Sequence, residues 1–338
     1  MTGIISHQLL FAQERQKDLL REAQTEQLIR ILRKEHEMQT IHQPTQRFHR
    51  AWRRLVAGAA IGSALFLTAC QPAMPVLQHE AHNAPAAAVV EIPEITIMAH
   101  DFSFSVPAEI EAGLVRIKLE DHGQEPHHVQ FARLSDGVTF EQFMVALQKG
   151  ENEALPLLTF PGGVAPIDPN GVASAILDLA PGNYVLLCLV PSPDGVPHLA
   201  KGMIAPVTVV EGGAQASTPE VQGTVKLVDF SFVLPSEIKA GKQIWEVVNE
   251  GSQLHEINLM KLADGKSMED VAAWMAKPEG APPFSNVGGF NGIDAKKVGY
   301  MELELTPGTY VAICHVPDPA SGKAHDALGM VMPFTVNE

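Results

Sequence analysis

Cysteine is scarce in this chain. There are three in 338 residues, at Cys70, Cys188 and Cys314. A disulfide framework would give each small domain at least a pair, so none is expected. One thiol per domain suits a metal thiolate or a small buried hydrophobe. Positive charge is scarce too, once the start of the chain is set aside. Residues 1–70 carry ten Lys and Arg against six Asp and Glu, whereas residues 71–338 carry fourteen against thirty-three. A body with so large an acidic excess is a poor match for a phosphate backbone, which excludes nucleic acid as a partner. It favours cationic partners, among them a basic electron-transfer protein. Long apolar runs are also missing. The run "LVAGAAIGSALFLTA" at 55–69 is too short for a comfortable bilayer span. What remains is 46% hydrophobic and 19% charged, enough for packed cores, and long enough for two ordinary domains.

The short apolar run has the length of a signal-peptide core, and Arg50, Arg53 and Arg54 supply its positive flank. "LTAC" at 67–70 resembles the lipobox of bacterial lipoproteins. That resemblance implies cleavage before Cys70 and lipidation of its thiol. The alternative is an uncleaved signal anchor. Either reading expects an extracytoplasmic protein anchored to the bacterial cell membrane. Residues 8–37 read as an amphipathic helix, and Met38 offers a second start that would leave an ordinary signal sequence. The front therefore divides into 1–54, a cytoplasmic or signal-flanking segment, 55–70, the apolar run and lipobox, and 71–90, an Ala- and Pro-rich tether.

The rest of the chain is written twice. "DFSFSVPAEIEAG" (101–113) matches "DFSFVLPSEIKAG" (229–241) at an offset of 128. "HGQEPHHVQFARLSDG" (122–137) matches "EGSQLHEINLMKLADG" (250–265) at the same offset. "LDLAPGNYVLLC" (177–188) matches "LELTPGTYVAIC" (303–314) at 126. Two domains follow, 91–211 and 223–338, joined by a Gly-, Ser- and Pro-containing linker at 212–222. In each, alternating stretches such as "VRIKLE" and "IWEVVN", and short runs such as "YVLLC" after a Pro-Gly turn, read as strands. One helix interrupts each copy, at "TFEQFMVALQKG" and "SMEDVAAWMAKP". The expectation is an all-β chain of two tandem Greek-key sandwiches, each with one inserted short helix.

Both copies carry the same four metal-binding side chains: His127, Cys188, His198 and Met203 in the first, His255, Cys314, His325 and Met330 in the second. Two imidazoles, a thiolate and a thioether are the donors of a blue-copper electron-transfer site. Thiolate and thioether suit Cu(I), imidazole tolerates both copper oxidation states, and thioether is a poor zinc ligand.

At these residues both copies resemble the cupredoxins, the family of plastocyanin and azurin. "EPHHVQF" resembles the stretch that holds that family's first His ligand, and Cys…His…Met resembles its ligand loop. The resemblance implies one copper per domain, bound by the eight residues named above, and an unknown redox partner protein. Two departures stand out. The Cys-to-His gap is nine residues in the first copy and ten in the second, longer than in plastocyanin or azurin. His128 and Glu256 follow the first His where many relatives carry an Asn that pins the ligand loops.

His128, His122 and His315 are read as surface residues, and the apolar residues of the inserted helices as core. No His-x-His pair is present, which argues against a trinuclear copper cluster. The expected function is a membrane-tethered type-1 copper protein that carries electrons and is not an enzyme. The alternative is a copper-holding, copper-delivering or metal-free binding module. A nitrite reductase-like enzyme comes third.

Overall fold

The computed structural model describes residues 91–213 and 216–338. The signal-like segment, the lipobox with Cys70 and the tether lie outside the described residues. Among those described, no helix is long and apolar enough to cross a membrane.

The first copy contributes β1 (Glu94–His100), β2 (Ser103–Ser105), β3 (Glu109–Glu111), β4 (Gly113–Asp121), β5 (His127–Leu134), β6 (Leu158–Ile167), β7 (Val172–Leu179), β8 (Gly182–Leu187) and β9 (Ile204–Val210). The second contributes β10 (Gly223–Val228), β11 (Ser231–Val233), β12 (Gly241–Asn249), β13 (His255–Leu262), β14 (Phe284–Ile293), β15 (Val298–Leu305), β16 (Gly308–Ile313) and β17 (Val331–Val336). The fold is all-β, a sandwich built from one sheet of eight strands and one of nine.

Alternation decides the inner faces. In β4 the side chains of Val115, Ile117 and Leu119 are buried while those between them are half-exposed, and β12 repeats this with Trp245 and Val247. Strands β5 and β13 are buried on both faces. Their second face is covered by the inserted helices, Phe140–Lys149 and Met268–Ala276. Phe143 packs there with Ala132, Leu134 and Val185, and Val271 with Met260, Leu262 and Val311. Each helix starts at a capping box, Thr139 with Gln142 and Ser267 with Asp270, which satisfies N–H groups that the first turn leaves free.

Residues 150–170 and 278–296 show no strand alternation in sequence and carry several Gly and Pro. They contain β6 and β14, which join the copies. β6 pairs antiparallel with β14, placing Val164 opposite Phe290, and β7 pairs with β15, placing Ala175 opposite Met301. Both sheets therefore run through both copies. "FPGGVAPI" lacks alternation because its glycines meet a different demand. A Cβ at Gly163 would lie 2.1 Å from the carbonyl oxygen of Val129, and one at Gly289 would lie 2.1 Å from that of Ile257. Only glycine permits this approach of strand to strand.

Candidate metal centre

The first His of each set opens a strand, His127 in β5 and His255 in β13, and each Cys directly follows a strand, Cys188 after β8 and Cys314 after β16. The loop from Cys to Met is closed by its own backbone. Cys188 N–H donates to Met203 O at 3.2 Å, Leu199 N–H to Cys188 O at 2.7 Å, and Met203 N–H to His198 O at 2.9 Å. The second copy repeats these bonds with Cys314, Asp326, His325 and Met330 at 2.8–3.1 Å. The residue before each Met is a glycine in the left-handed region, Gly202 with φ 105° and Gly329 with φ 115°. This explains the His-to-Met spacing: one tight turn, closed by a residue without a Cβ, returns the chain to the last strand.

In the second copy the donors converge. His255 Nδ1 lies 3.0 Å from His325 Nδ1, and His325 Nδ1 lies 3.4 Å from Cys314 Sγ. The three donor atoms lie within 4.8 Å of one another, and all three residues are fully buried. Met330 is buried with them. The outer ring nitrogens are occupied: His255 Nε2 lies 2.9 Å from Asp229 Oδ1, and His325 Nε2 lies 3.2 Å from Gln253 Oε1. Carboxylate and amide oxygens only accept, so both rings carry their proton on Nε2 and turn a lone pair of Nδ1 inward. Two lone pairs facing each other at hydrogen-bond distance, beside a thiol, make an arrangement that a cation relieves. The donor set and its geometry fit copper, with the outer oxygens fixing tautomer and orientation.

Burial holds these rings neutral. It is the main cause that lowers His255, partly offset by Asp229, and that lowers His325 to about 4, with His255 adding to the effect. Burial pushes the Cys188 thiol up to about 12 and raises Cys314 as well. Metal binding at either thiol therefore displaces a proton.

The first copy brings the same residues together with one difference. Cys188 Sγ lies 3.4 Å from His198 Nδ1, and His198 Nε2 lies 2.9 Å from Glu125 Oε2. The rings of His127 and His198 have centroids 4.8 Å apart, against 4.7 Å for His255 and His325. The ring of His127, however, is turned over. Its Nδ1 lies 2.9 Å from Asp121 Oδ1, and its Nε2 is buried without a hydrogen-bond partner. All four residues, Met203 included, are fully buried.

The pin expected to be missing is present in other hands. Leu189 N–H donates to His128 Nε2 at 2.7 Å, and His315 N–H donates to Glu256 Oε1 at 2.9 Å. Each acceptor thus holds the residue that follows the Cys. This corrects the reading of His128 as a surface residue: it is buried, and burial, with His198 and His127 nearby, lowers it to about 3. A neutral ring is required to accept. Burial raises Glu256. His122 and His315 are at the surface as expected.

Sequence reasoning missed a cover over each site. Phe102 and Phe230, in the repeated "DFSF", have φ of 63° and 64°. Each ring stands edge-on to a ligand-set His, at 5.3 Å from His198 and from His325 respectively. A bulky residue in this region is an outlier, and the repetition of "DFSF" was its visible signal.

No protein-family model and no curated protein sequence matches the chain. The structure is similar to that of reduced auracyanin from the photosynthetic bacterium Roseiflexus castenholzii, at 20% identity over 35% of this chain and 96% of that one, with a TM-score of 0.25. It is also similar to a multicopper oxidase, at 15% identity over 72% of this chain and 88% of that one, TM-score 0.22. A copper-containing nitrite reductase from Thermus scotoductus matches at 12% identity over 73% of this chain and 62% of that one, TM-score 0.22. At such low identity and overlap these likenesses carry no weight for function, which has to come from the donor atoms.

Proposed function

We propose that the chain is a type-1 copper protein that carries electrons, with one copper per domain, tethered outside the bacterial cell membrane. The observation that carries this reading is the convergence of His255 Nδ1, Cys314 Sγ and His325 Nδ1 in a fully buried pocket. Copper bound there would supply a one-electron couple. The chain's own residues would hold the geometry. Asp229 and Gln253 keep the inner nitrogens free of protons, Glu256 and His128 fix the Cys loops, and Phe102 and Phe230 shield the imidazoles from water. A rigid, dry set of mixed donors accommodates both oxidation states with little rearrangement. The acidic body suits a basic redox partner. The signal-like run and "LTAC" support the anchored location.

Loading the purified protein with Cu(II) tests the reading. An intense visible absorption from a thiolate-to-copper transition is expected. A colourless protein that still binds copper would favour the copper-holding module instead, and one that binds none would overturn both.

A further inference from the structure

The two copies repeat their ligands but not the residues around them. Position 121 is Asp in the first copy and its equivalent, 249, is Asn in the second. Asn249 is fully used: its Nδ2 donates to the carbonyls of Gln253 and Ile293, both at 2.8 Å, and its Oδ1 accepts from Gly251 N–H at 3.0 Å. Nothing of Asn249 is left for His255, whose ring is free to bond Asp229 through Nε2. Asp121 is buried and lacks the amide N–H that Asn249 gives to carbonyls. Its Oδ1 accepts from Gly123 N–H at 2.8 Å and from His127 Nδ1 at 2.9 Å, while Oδ2 has no partner. The nitrogen that faces the donor set in the second copy is thus occupied in the first. His127 Nε2, which lies 3.8 Å from Asp101 Oδ1, makes no hydrogen bond.

We propose that the two sites fill unequally, the second before the first, and that Asp121 sets the order by holding His127 Nδ1 away from the donor set. This inference rests on the copper reading above. Net charge does not separate the sites: the Cys188 thiol feels Asp121 and Glu125, and the Cys314 thiol feels Glu256 and Asp326. What separates them is work. Binding at the second site requires loss of the thiol proton. Binding at the first also requires breaking the buried Asp121–His127 hydrogen bond and a half-turn of the His127 ring, which brings Nε2 to Asp101 as His255 Nε2 already is to Asp229. Asp121 is a positioning residue in this scheme and touches no metal.

The test uses the full chain with Cys188→Ser, which leaves the second site, and Cys314→Ser, which leaves the first. Each is titrated with Cu(II) against a competing chelator while the thiolate absorption is followed. The second site is expected to bind about tenfold to a hundredfold more tightly, the range for disturbed outer hydrogen bonds. Adding Asp121→Asn to the Cys314→Ser chain should close most of that gap. In the metal-free protein, nitrogen NMR of the imidazoles gives an independent readout. It should place the proton of His127 on Nδ1 and that of His255 on Nε2, and Asp121→Asn should move the first to Nε2. Equal affinities, or an unmoved His127 tautomer in the variant, would overturn the order while leaving the copper reading intact. If neither chain developed thiolate absorption, the copper reading would fall, and this inference with it.

Discussion

Asp168 and Asp294 occupy equivalent places in the two copies, and each reaches across to a strand of the other. Asp168 Oδ1 accepts from Asn286 Nδ2 at 2.7 Å and its Oδ2 from Asn286 N–H at 3.1 Å, while Asp294 Oδ2 accepts from Phe160 N–H at 2.8 Å. The two carboxylates clamp opposite ends of the β6–β14 pairing.

Burial raises both acids, and the hydrogen bonds that lower them do not win. The sign follows from linkage. A carboxyl group whose folded pKa exceeds its unfolded value of about 3.9 binds protons more strongly in the folded state. Its contribution is most favourable below that value and declines as pH rises through the folded pKa. Denaturant unfolding from pH 3.5 to 7 should show this decline in the parent relative to Asp168→Asn and Asp294→Asn. A difference between parent and variants that stays constant with pH would refute it.

Cys314→Ser removes the thiol of the second site alone, and Cys188→Ser that of the first. Each change should lower the copper content and visible absorption by the share of one site and leave the other. Loss of both sites from either change would mean that copper is shared between the domains. Replacing Met330 should be milder, since a thioether would be a weaker donor to copper than the thiolate and the two imidazoles.

His128→Ala leaves the Leu189 N–H without its acceptor, and Glu256→Ala does the same to His315. Each should cost about 1–3 kcal/mol of stability, the usual penalty for an abandoned polar group. Glu256→Gln keeps an acceptor oxygen and should unfold close to the parent temperature. Calorimetry of the three variants checks the ranking, and equal losses for Glu256→Ala and Glu256→Gln would remove the pin.

Gly202→Ala tests the turn between His198 and Met203. An added Cβ would have no neighbour within 4 Å, so crowding plays no part. The cost is backbone strain at φ 105°, about 1–2 kcal/mol. Gly329→Ala, with φ 115°, should behave alike. A denaturation midpoint unchanged in both would contradict the left-handed turn.

For the front of the chain, mass spectrometry of the mature protein should find a lipidated Cys70 as the first residue. A product that retains residues 39–69 would leave the signal-anchor reading instead.

Much of the fold and of the candidate site is legible in the sequence. The repeat marks the two sets of His, Cys, His and Met that each copy brings together, and alternation marks β4 and β12 because one face of each is buried. The pairing of β6 with β14 was hidden. Gly163 and Gly289 answer a backbone approach that leaves no periodic trace in side chains. The pin was hidden for another reason. A backbone N–H asks only for an acceptor, so His128 and Glu256 fill a place where the family resemblance had pointed to Asn. The contrast of Asp121 with Asn249 is visible in the sequence, but its meaning depends on which way an imidazole faces.

The joining strands also carry a local symmetry. Val164 and Phe290 lie 126 positions apart, as do Ala175 and Met301, and 126 is the repeat offset in that part of the chain. Each joining strand thus meets its own counterpart, antiparallel, at its own equivalent residue. That is the contact two identical molecules make across a two-fold axis. A single domain with this sheet edge would have a ready partner in its own twin. Within one chain the two halves need not agree in sequence, and at positions 121 and 249 they do not.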